Sequence, residues 1–134
     1  MKIESVRDLE VYKLAFTCAM EIFQVTKKFP PEERYSLTDQ IRRSSRSVCS
    51  NLAESWRKRR YKAFFKNKLT DAMQEASETQ TWLEFCNACN YMDKESYERL
   101  YTEYEQILAM LNTMDIKADT FCFPSSQPPN FPSS

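Results

Sequence analysis

Two residue types are missing from this chain of 134 residues, glycine and histidine. Tight turns with positive φ angles and phosphate-binding loops favour glycine, so its absence argues against hairpin-rich β architectures and against such loops. Histidine is the commonest general base and metal ligand near neutral pH. The two absences favour an all-α protein that is not an enzyme, and we expect no metal and no cofactor.

Long apolar runs are missing as well. No stretch approaches the roughly 20 apolar residues that a membrane-spanning helix needs, and residues 1–11 contain no apolar core of a signal peptide. The five cysteines are odd in number and scattered, and we interpret them as small apolar residues that stay reduced. These features predict a soluble, cytoplasmic protein with no membrane partner.

Charge is balanced in total but not along the chain. The sequence has 19 basic and 19 acidic residues, yet residues 42–68 contain ten bases and one acid, Glu54. Residues 71–105 show the opposite bias, with nine acids and two bases. One part of the molecule is therefore expected to attract anions.

Helical periodicity appears in four segments, at about residues 7–28, 31–58, 61–92 and 94–116. Asp93 is the predicted N-cap of the fourth. In each segment, residues spaced by three and four positions form an apolar seam. The seam of the first is predicted at Leu9, Tyr12, Phe16, Ala19 and Phe23. The later seams are predicted at Leu37, Ile41, Ser45, Val48, Leu52 and Trp56; at Phe65, Leu69, Ala72, Ala76, Thr79, Leu83 and Cys86; and at Tyr97, Leu100, Tyr104, Ile107, Leu111 and Met114.

The short connections between these helices predict an antiparallel, up-down-up-down four-helix bundle over residues 1–116. Residues 117–134 are rich in proline and serine and are predicted to form a flexible C-terminal tail. An alternative stays open for this tail, because Phe121, Phe123 and Phe131 could dock on the bundle or on a partner.

Folding the second and third helices back on each other about Arg60 sets their register. The facing pairs are then Cys49 with Ala72, Ser45 with Ala76, Arg46 with Glu75, and Arg43 with Glu78. Two interpretations of Arg42, Arg43 and Arg46 stay open, pairing inside the protein and contact with a ligand. The polar residues expected to make contacts between helices or subunits, with solvent exposure as the alternative, are Gln40, Asn51, Glu54, Glu75 and Glu78.

The turn between these two helices carries the densest positive charge. Its members, which we call the basic tip, are Arg57, Lys58, Arg59, Arg60 and Lys62. Such a cluster can bind phosphates by releasing counterions, and Trp56 and Tyr61 beside it are candidate stacking platforms for bases. The basic tip thus predicts binding of RNA or DNA; solubility alone or an acidic protein partner are the alternatives.

One family shares a specific pattern with this chain. The pattern comprises Leu37, Gln40, Ile41, Arg42, Arg43, Val48, Asn51, Ala53 and Glu54, followed by Ala72, Glu75, Ala76, Glu78, Thr79, Trp82 and Leu83. It resembles the four-helix bundle proteins related to the 23S rRNA intervening-sequence proteins. Many of these carry glycine where this chain has Ser55, so the turn that follows is expected to be longer or more helical here.

The resemblance implies a left-handed antiparallel bundle that assembles into a ring-shaped homopentamer. Its relatives include the accessory proteins of diversity-generating retroelements, which bind a reverse transcriptase and nucleic acid. We therefore predict a non-enzymatic homo-oligomer, pentameric by resemblance, that binds RNA or other nucleic acid through basic tips. The alternative is an oligomeric scaffold that binds a protein partner and has no nucleic-acid ligand.

Overall fold

The computed structural model describes residues 2–124, and all regular elements within that range are helical. The helices are α1 (Glu10–Thr26), α2 (Leu37–Arg57), α3 (Lys62–Ala88), α4 (Lys94–Ile116) and the short α5 (Ala118–Phe121). Single 3-10 turns at Val6–Asp8 and Pro31–Glu33 precede α1 and α2. The predicted all-α class is confirmed for the described part of the chain.

The second helix begins six residues later than the predicted start at residue 31, at Leu37. The Glu33 carboxylate accepts hydrogen bonds from the Ser36 hydroxyl at 2.7 Å and from the Leu37 backbone N–H at 3.3 Å. Glu33 thus caps the start of α2. Pro31 is the first residue of the 3-10 turn that precedes α2, not of α2 itself. At about 1.5 Å per residue, α2 is roughly 30 Å long.

In the turn between α3 and α4, an asparagine takes the left-handed conformation that glycine commonly adopts at the end of a helix. Asn90 has a φ of 60°, and the backbone N–H of Tyr91 donates to the carbonyl of Cys86 at 2.9 Å. This arrangement is a Schellman motif, which satisfies carbonyls at the end of α3 and stops the helix at Ala88 rather than at the predicted residue 92. The predicted N-cap is confirmed, since the Asp93 carboxylate accepts from the Ser96 N–H at 3.1 Å.

The core lies between the four long helices. The predicted seams of α2 and α3 are confirmed because every member is buried, and in α4 only Tyr97 is partly exposed. The predicted seam of α1 is confirmed at Leu9 and Ala19, which are buried, but not at its aromatic positions. Phe16, predicted inside, is 50% exposed, and Tyr12 is only partly buried. The buried residues within the helix are Val11, Ala15, Cys18, Ala19, Ile22 and Thr26.

Contacts between helices follow a cyclic order. Helix α2 contacts α1 and α3, and helix α4 contacts the same two helices. Ala118 of α5 is buried, and α5 contacts α3 and α4, so part of the segment predicted as a tail packs on the long helices. Phe131 lies outside the described residues. Within residues 2–124, no helix is both long and apolar enough to cross a membrane.

Candidate nucleic-acid interface

Arg42, in the first half of α2, is tied to the end of α1. Its Nε donates to the Thr26 hydroxyl at 2.7 Å, and its guanidinium lies 4.8 Å from the centre of the Phe23 ring. Thr26 is buried, so this bond satisfies a polar group that water does not reach. Of the two interpretations, the structure supports an internal role for Arg42.

Arg43 is held by two carboxylates of α3. It pairs with Glu78 at 2.9 Å, as predicted, and with Glu75 at 3.5 Å. The hydrogen bond that Arg43 donates to Glu78 raises the pKa of Arg43, whereas burial raises the pKa of Glu75 above its usual value. The structure therefore places Arg43 in an internal ion-pair cluster.

The predicted pair between Arg46 and Glu75 is wrong. Arg46 forms no salt bridge among the described residues, and its guanidinium lies 5.7 Å from the centre of the Phe23 ring on α1. Together with Arg34, Arg42 and Arg43 it lines a groove of about 600 Å³ on the outward side of α2. The side chain turns towards α1 because Arg43, one helical turn earlier, already occupies Glu75.

The basic tip is formed by the last residue of α2, a four-residue turn and the first residue of α3. Arg57, Lys58 and Arg60 are exposed, and none of the three forms a salt bridge within residues 2–124. The hydrogen bond from Lys68 is the main cause that lowers the pKa of the Glu54 carboxyl, and the charge of Lys58 lowers it less. These three side chains form a positive surface that faces solvent.

The other two members of the basic tip have partners. The Arg59 guanidinium lies 3.8 Å from the Trp56 ring centre and 4.9 Å from that of Phe123, and its Nε donates to the Trp56 carbonyl at 2.8 Å. Lys62 pairs with Asp119 of α5 at 2.8 Å. The prediction of five uncompensated cations is therefore wrong for Lys62, which pairs with a carboxylate of the C-terminal segment. Arg59 forms no salt bridge within residues 2–124, but two aromatic rings cover its guanidinium.

Both predicted stacking residues contact other side chains of the protein. Trp56 is only 8% exposed, with Arg59 on its ring and Phe121 against it at 6.3 Å between centres. Tyr61 is half-buried and meets Phe64 edge to face at 5.8 Å. Trp56 belongs to the core of α2, whose seam reaches the last turn of the helix. The prediction that Trp56 is a ready stacking platform is thus corrected.

The predicted polar contacts divide into two groups. Glu75 and Glu78 bridge α3 to Arg43, and Glu54 bridges α2 to Lys68 of α3 at 2.8 Å. Asn51 instead donates to the Ser47 carbonyl of its own helix at 2.9 Å. Gln40 lines an apolar groove between α2 and α3 with Tyr35, Leu37, Trp82 and Phe85, among others.

Two polar contacts between helices were not predicted from the sequence. The buried hydroxyls of Ser44 and Thr79 lie 2.8 Å apart and join α2 to α3, where the register placed Ser45 beside Ala76. Gln80 donates to Glu105 of α4 at 2.8 Å. The position of Thr79 in the predicted seam was a signal for its contact with Ser44. The sequence held no signal for the contact between Gln80 and Glu105, because periodicity does not reveal polar partners on another helix.

The cysteines and the potential metal ligands were the remaining candidates for chemistry at this surface. Burial raises the pKa of Cys18, of Cys49 to about 11 and of Cys86 to about 12, so these thiols stay protonated. Residues 2–124 hold no cluster of three or more potential metal ligands of the His, Cys, Asp and Glu types. The feature of the basic tip that can bind a ligand is its positive charge.

Three comparisons with known proteins place this chain. No curated protein matches it. A solved structure of a protein of unknown function from the S23 ribosomal protein family of Bacteroides thetaiotaomicron is similar, with 29% identity and a TM-score of 0.71. The match covers 79% of this chain and 95% of that one. The family model described as 23S rRNA-intervening sequence protein matches residues 7–113. The chain therefore belongs to the family of 23S rRNA-intervening sequence proteins.

Proposed function

We propose that this protein is a non-enzymatic homo-oligomer that binds the phosphates of RNA through Arg57, Lys58 and Arg60 of the basic tip. One observation carries the proposal: these exposed cations form no salt bridge in the described residues, whereas Arg43 and Lys68 each contact carboxylates of their own chain. Cations that are not neutralised internally can replace the counterions around a phosphate backbone. The absence of histidine supports the non-enzymatic part.

The arrangement of helices proposed with this function is a left-handed, up-down-up-down bundle. Contacts from α2 to α3 support alternating directions, because Arg43 contacts Glu78 while Glu54, later on α2, contacts Lys68, earlier on α3. Between α1 and α4, Cys18 contacts Glu103 and Glu21 contacts Arg99 in the same inverse order. Such a bundle gathers its turns at its two ends, so the basic tip projects from one end.

Oligomerisation supplies the binding strength in this proposal. Three cations on one chain bind an RNA backbone weakly at physiological salt, because each phosphate contact is opposed by the surrounding counterions. A ring of identical chains, a pentamer by family resemblance, holds several basic tips at high effective concentration around one ligand. The proposed interface is therefore the set of basic tips around the symmetry axis.

The test is fluorescence anisotropy with labelled single-stranded RNA over a salt series. We compare the wild type with a variant in which Arg57, Lys58 and Arg60 are all changed to Ala. Loss of up to three phosphate contacts should reduce the slope of log K against log salt by about 2 for a single strand, and weaken binding at least tenfold at low salt.

The matched control changes Lys27, Lys28 and Lys94 to Ala. These exposed lysines lie at the end of α1 and the start of α4, away from the basic tip, and their removal changes the net charge equally. The control should keep most of the affinity. If the two variants lose affinity equally, or if the wild type does not bind at low salt, the proposal is wrong.

A second candidate function, a protein-binding scaffold, is favoured by the apolar groove between α2 and α3. Tyr35 is 84% exposed and Phe85 is 52% exposed there, and the buried Nε1 of Trp82 has no hydrogen-bond partner within residues 2–124. Exposed aromatic residues around such a groove are typical of interaction sites. Pull-down after nuclease treatment separates the two functions, since a scaffold keeps its partner and an RNA-bridged complex loses it. Changing Phe85 to Ser should then release the partner only in the scaffold case.

A further inference from the structure

The segment that follows α4 lies across one side of the basic tip. Ala118 is 2% exposed, and the Phe121 ring stacks on the buried Phe65 with 6.2 Å between ring centres. Two residues later, the Phe123 backbone N–H donates to the Arg59 carbonyl at 3.2 Å. Residues 118–123, which we call the C-terminal cover, are outside the range 7–113 matched by the family model.

The contacts of the C-terminal cover resemble those of a nucleotide. The Phe123 ring lies over the Arg59 guanidinium at 4.9 Å, a position that a nucleobase can take on an arginine. The Asp119 carboxylate lies 2.8 Å from the ammonium of Lys62, as a phosphate oxygen would. An aromatic ring and an anion thus contact Arg59 and Lys62, the two members of the basic tip that have partners in the C-terminal cover.

Anchoring of the C-terminal cover is uneven. Ala118 and Phe121 pack on the core, but Phe123 is 50% exposed and the side chains of Lys62 and Asp119 are 54% and 84% exposed. Ion pairs exposed to this degree contribute little to stability. Displacing Phe123 breaks its ring contact and its backbone hydrogen bond with Arg59, neither of which involves Phe121, so Phe121 can stay in place.

Trp56 gives a second indication that this region is incompletely satisfied. Its Nε1 is buried and has no hydrogen-bond partner in the described residues. A buried N–H without an acceptor is unfavourable, and the Trp56 ring lies beside the cover, 6.3 Å from the Phe121 ring centre. The closed arrangement therefore leaves one polar group unsatisfied beside Arg59.

We infer that the C-terminal cover is an autoinhibitory contact over the basic tip, and that unpaired bases of single-stranded RNA compete with Phe123 for Arg59. This inference rests on the proposed function and extends it by naming the favoured ligand, a single strand. A duplex contacts only Arg57, Lys58 and Arg60 through its phosphates, since its bases are stacked on each other. Arg59 and Lys62 join the interface when the cover is displaced.

The experiment measures binding of labelled oligouridylate and of a labelled RNA duplex to full-length variants. Phe123→Ala should bind oligouridylate about fivefold more tightly than the wild type, equivalent to about 1 kcal/mol, because the competing ring is gone. Affinity for the duplex should stay unchanged. Phe123→Tyr is the matched control, because it keeps a ring over Arg59 and should bind like the wild type.

A double substitution separates competition from a general loss of structure. In an Arg59→Ala background, Phe123→Ala should have no further effect on oligouridylate binding. A Trp82→Phe background leaves Trp56 as the reporter tryptophan of the chain, which has two. Its emission should shift to longer wavelength when oligouridylate displaces the cover.

Three outcomes would overturn the inference. These are an unchanged affinity of Phe123→Ala for oligouridylate, an equal gain for the duplex, and a gain that persists without Arg59. If any one of these occurs while the change of Arg57, Lys58 and Arg60 to Ala still weakens binding at least tenfold, the cover is not autoinhibitory but the proposed function stands. If neither the wild type nor Phe123→Ala binds RNA at low salt, both are wrong.

Discussion

The two ends of α2 carry the same kind of side chain and use it differently. Near the start, Arg42 bonds to Thr26 of α1, and Arg43 bonds to Glu75 and Glu78 of α3. At the other end, Arg57 is exposed and forms no salt bridge within the described residues. An arginine on α2 thus acts as structure or as free surface charge according to what the neighbouring helices place beside it.

The largest effect on stability is expected from substitutions in the core, where the two halves of α2 are equally buried. Ile41 and Leu52 are both fully buried, one in each half of the helix. Changing either to Ala should lower the free energy of unfolding by about 2–5 kcal/mol, because the lost contacts leave a cavity. Urea denaturation measures both. If one variant lost less than about 1 kcal/mol, the halves would differ in packing as well as in surface charge.

The next comparison sets Arg42→Ala against Arg57→Ala. Removing Arg42 deprives the buried Thr26 hydroxyl of a charged donor, so we expect a loss of about 2 kcal/mol in unfolding free energy. Removing Arg57 should change it by less than about 0.5 kcal/mol, as for most exposed residues. Urea denaturation measures both variants. Equal losses of unfolding free energy would show that Arg42 contributes no more to stability than Arg57 does.

The pH dependence of stability should differ in sign between two acids that link α2 and α3, Glu75 and Glu54. Burial raises the pKa of Glu75, so its contribution favours the folded state below the usual value and declines as pH rises through the raised pKa. The hydrogen bond from Lys68 lowers the pKa of Glu54, whose contribution is present above the usual value of 4.5 and is lost as pH falls.

Thermal or urea unfolding from about pH 3 to pH 7 of Glu75→Gln and Glu54→Gln measures these contributions. Relative to the wild type, Glu75→Gln should gain stability as pH rises, and Glu54→Gln should lose it. The same sign for both variants would contradict the assigned environments.

The smallest effect is expected from Asp119→Asn, which frees Lys62 in the basic tip. Stability should be unchanged within error, because both partners are largely exposed. Affinity for oligouridylate should rise by about twofold through one more available cation. Glu98→Gln, which removes an exposed acid of α4 with no salt bridge in the described residues, is the charge-matched control. An equal gain in the control would show only an effect of net charge.

Local features of the fold were predictable. The seams of α2 and α3 and the Asp93 cap follow from residue spacing and residue type within a few positions of each other. The seam of α1 was predicted only in part, because two overlapping patterns fit its sequence and the aromatic residues were favoured over Ala15 and Ile22. The structure buries Ala15 and Ile22 and leaves Phe16 half exposed.

The candidate site was predictable in part. Register alone gave the pair of Arg43 and Glu78, since antiparallel neighbours fix which residues face each other. It failed for Arg46, whose ring contact with Phe23 comes from α1. It also failed for Lys62, because Asp119 is distant in sequence and lies in a segment that was predicted to be a tail.

The sequence by itself determined the number and type of the long helices, most of their buried faces and the concentration of cations at one turn, because these depend on residue type and short spacing. Only the tertiary structure decided which cations stay available: it covers Arg59 with Phe123, pairs Lys62 with Asp119 and leaves Arg57, Lys58 and Arg60 exposed. The physical reason is that charge is neutralised through space, by partners that chain folding brings together from distant positions.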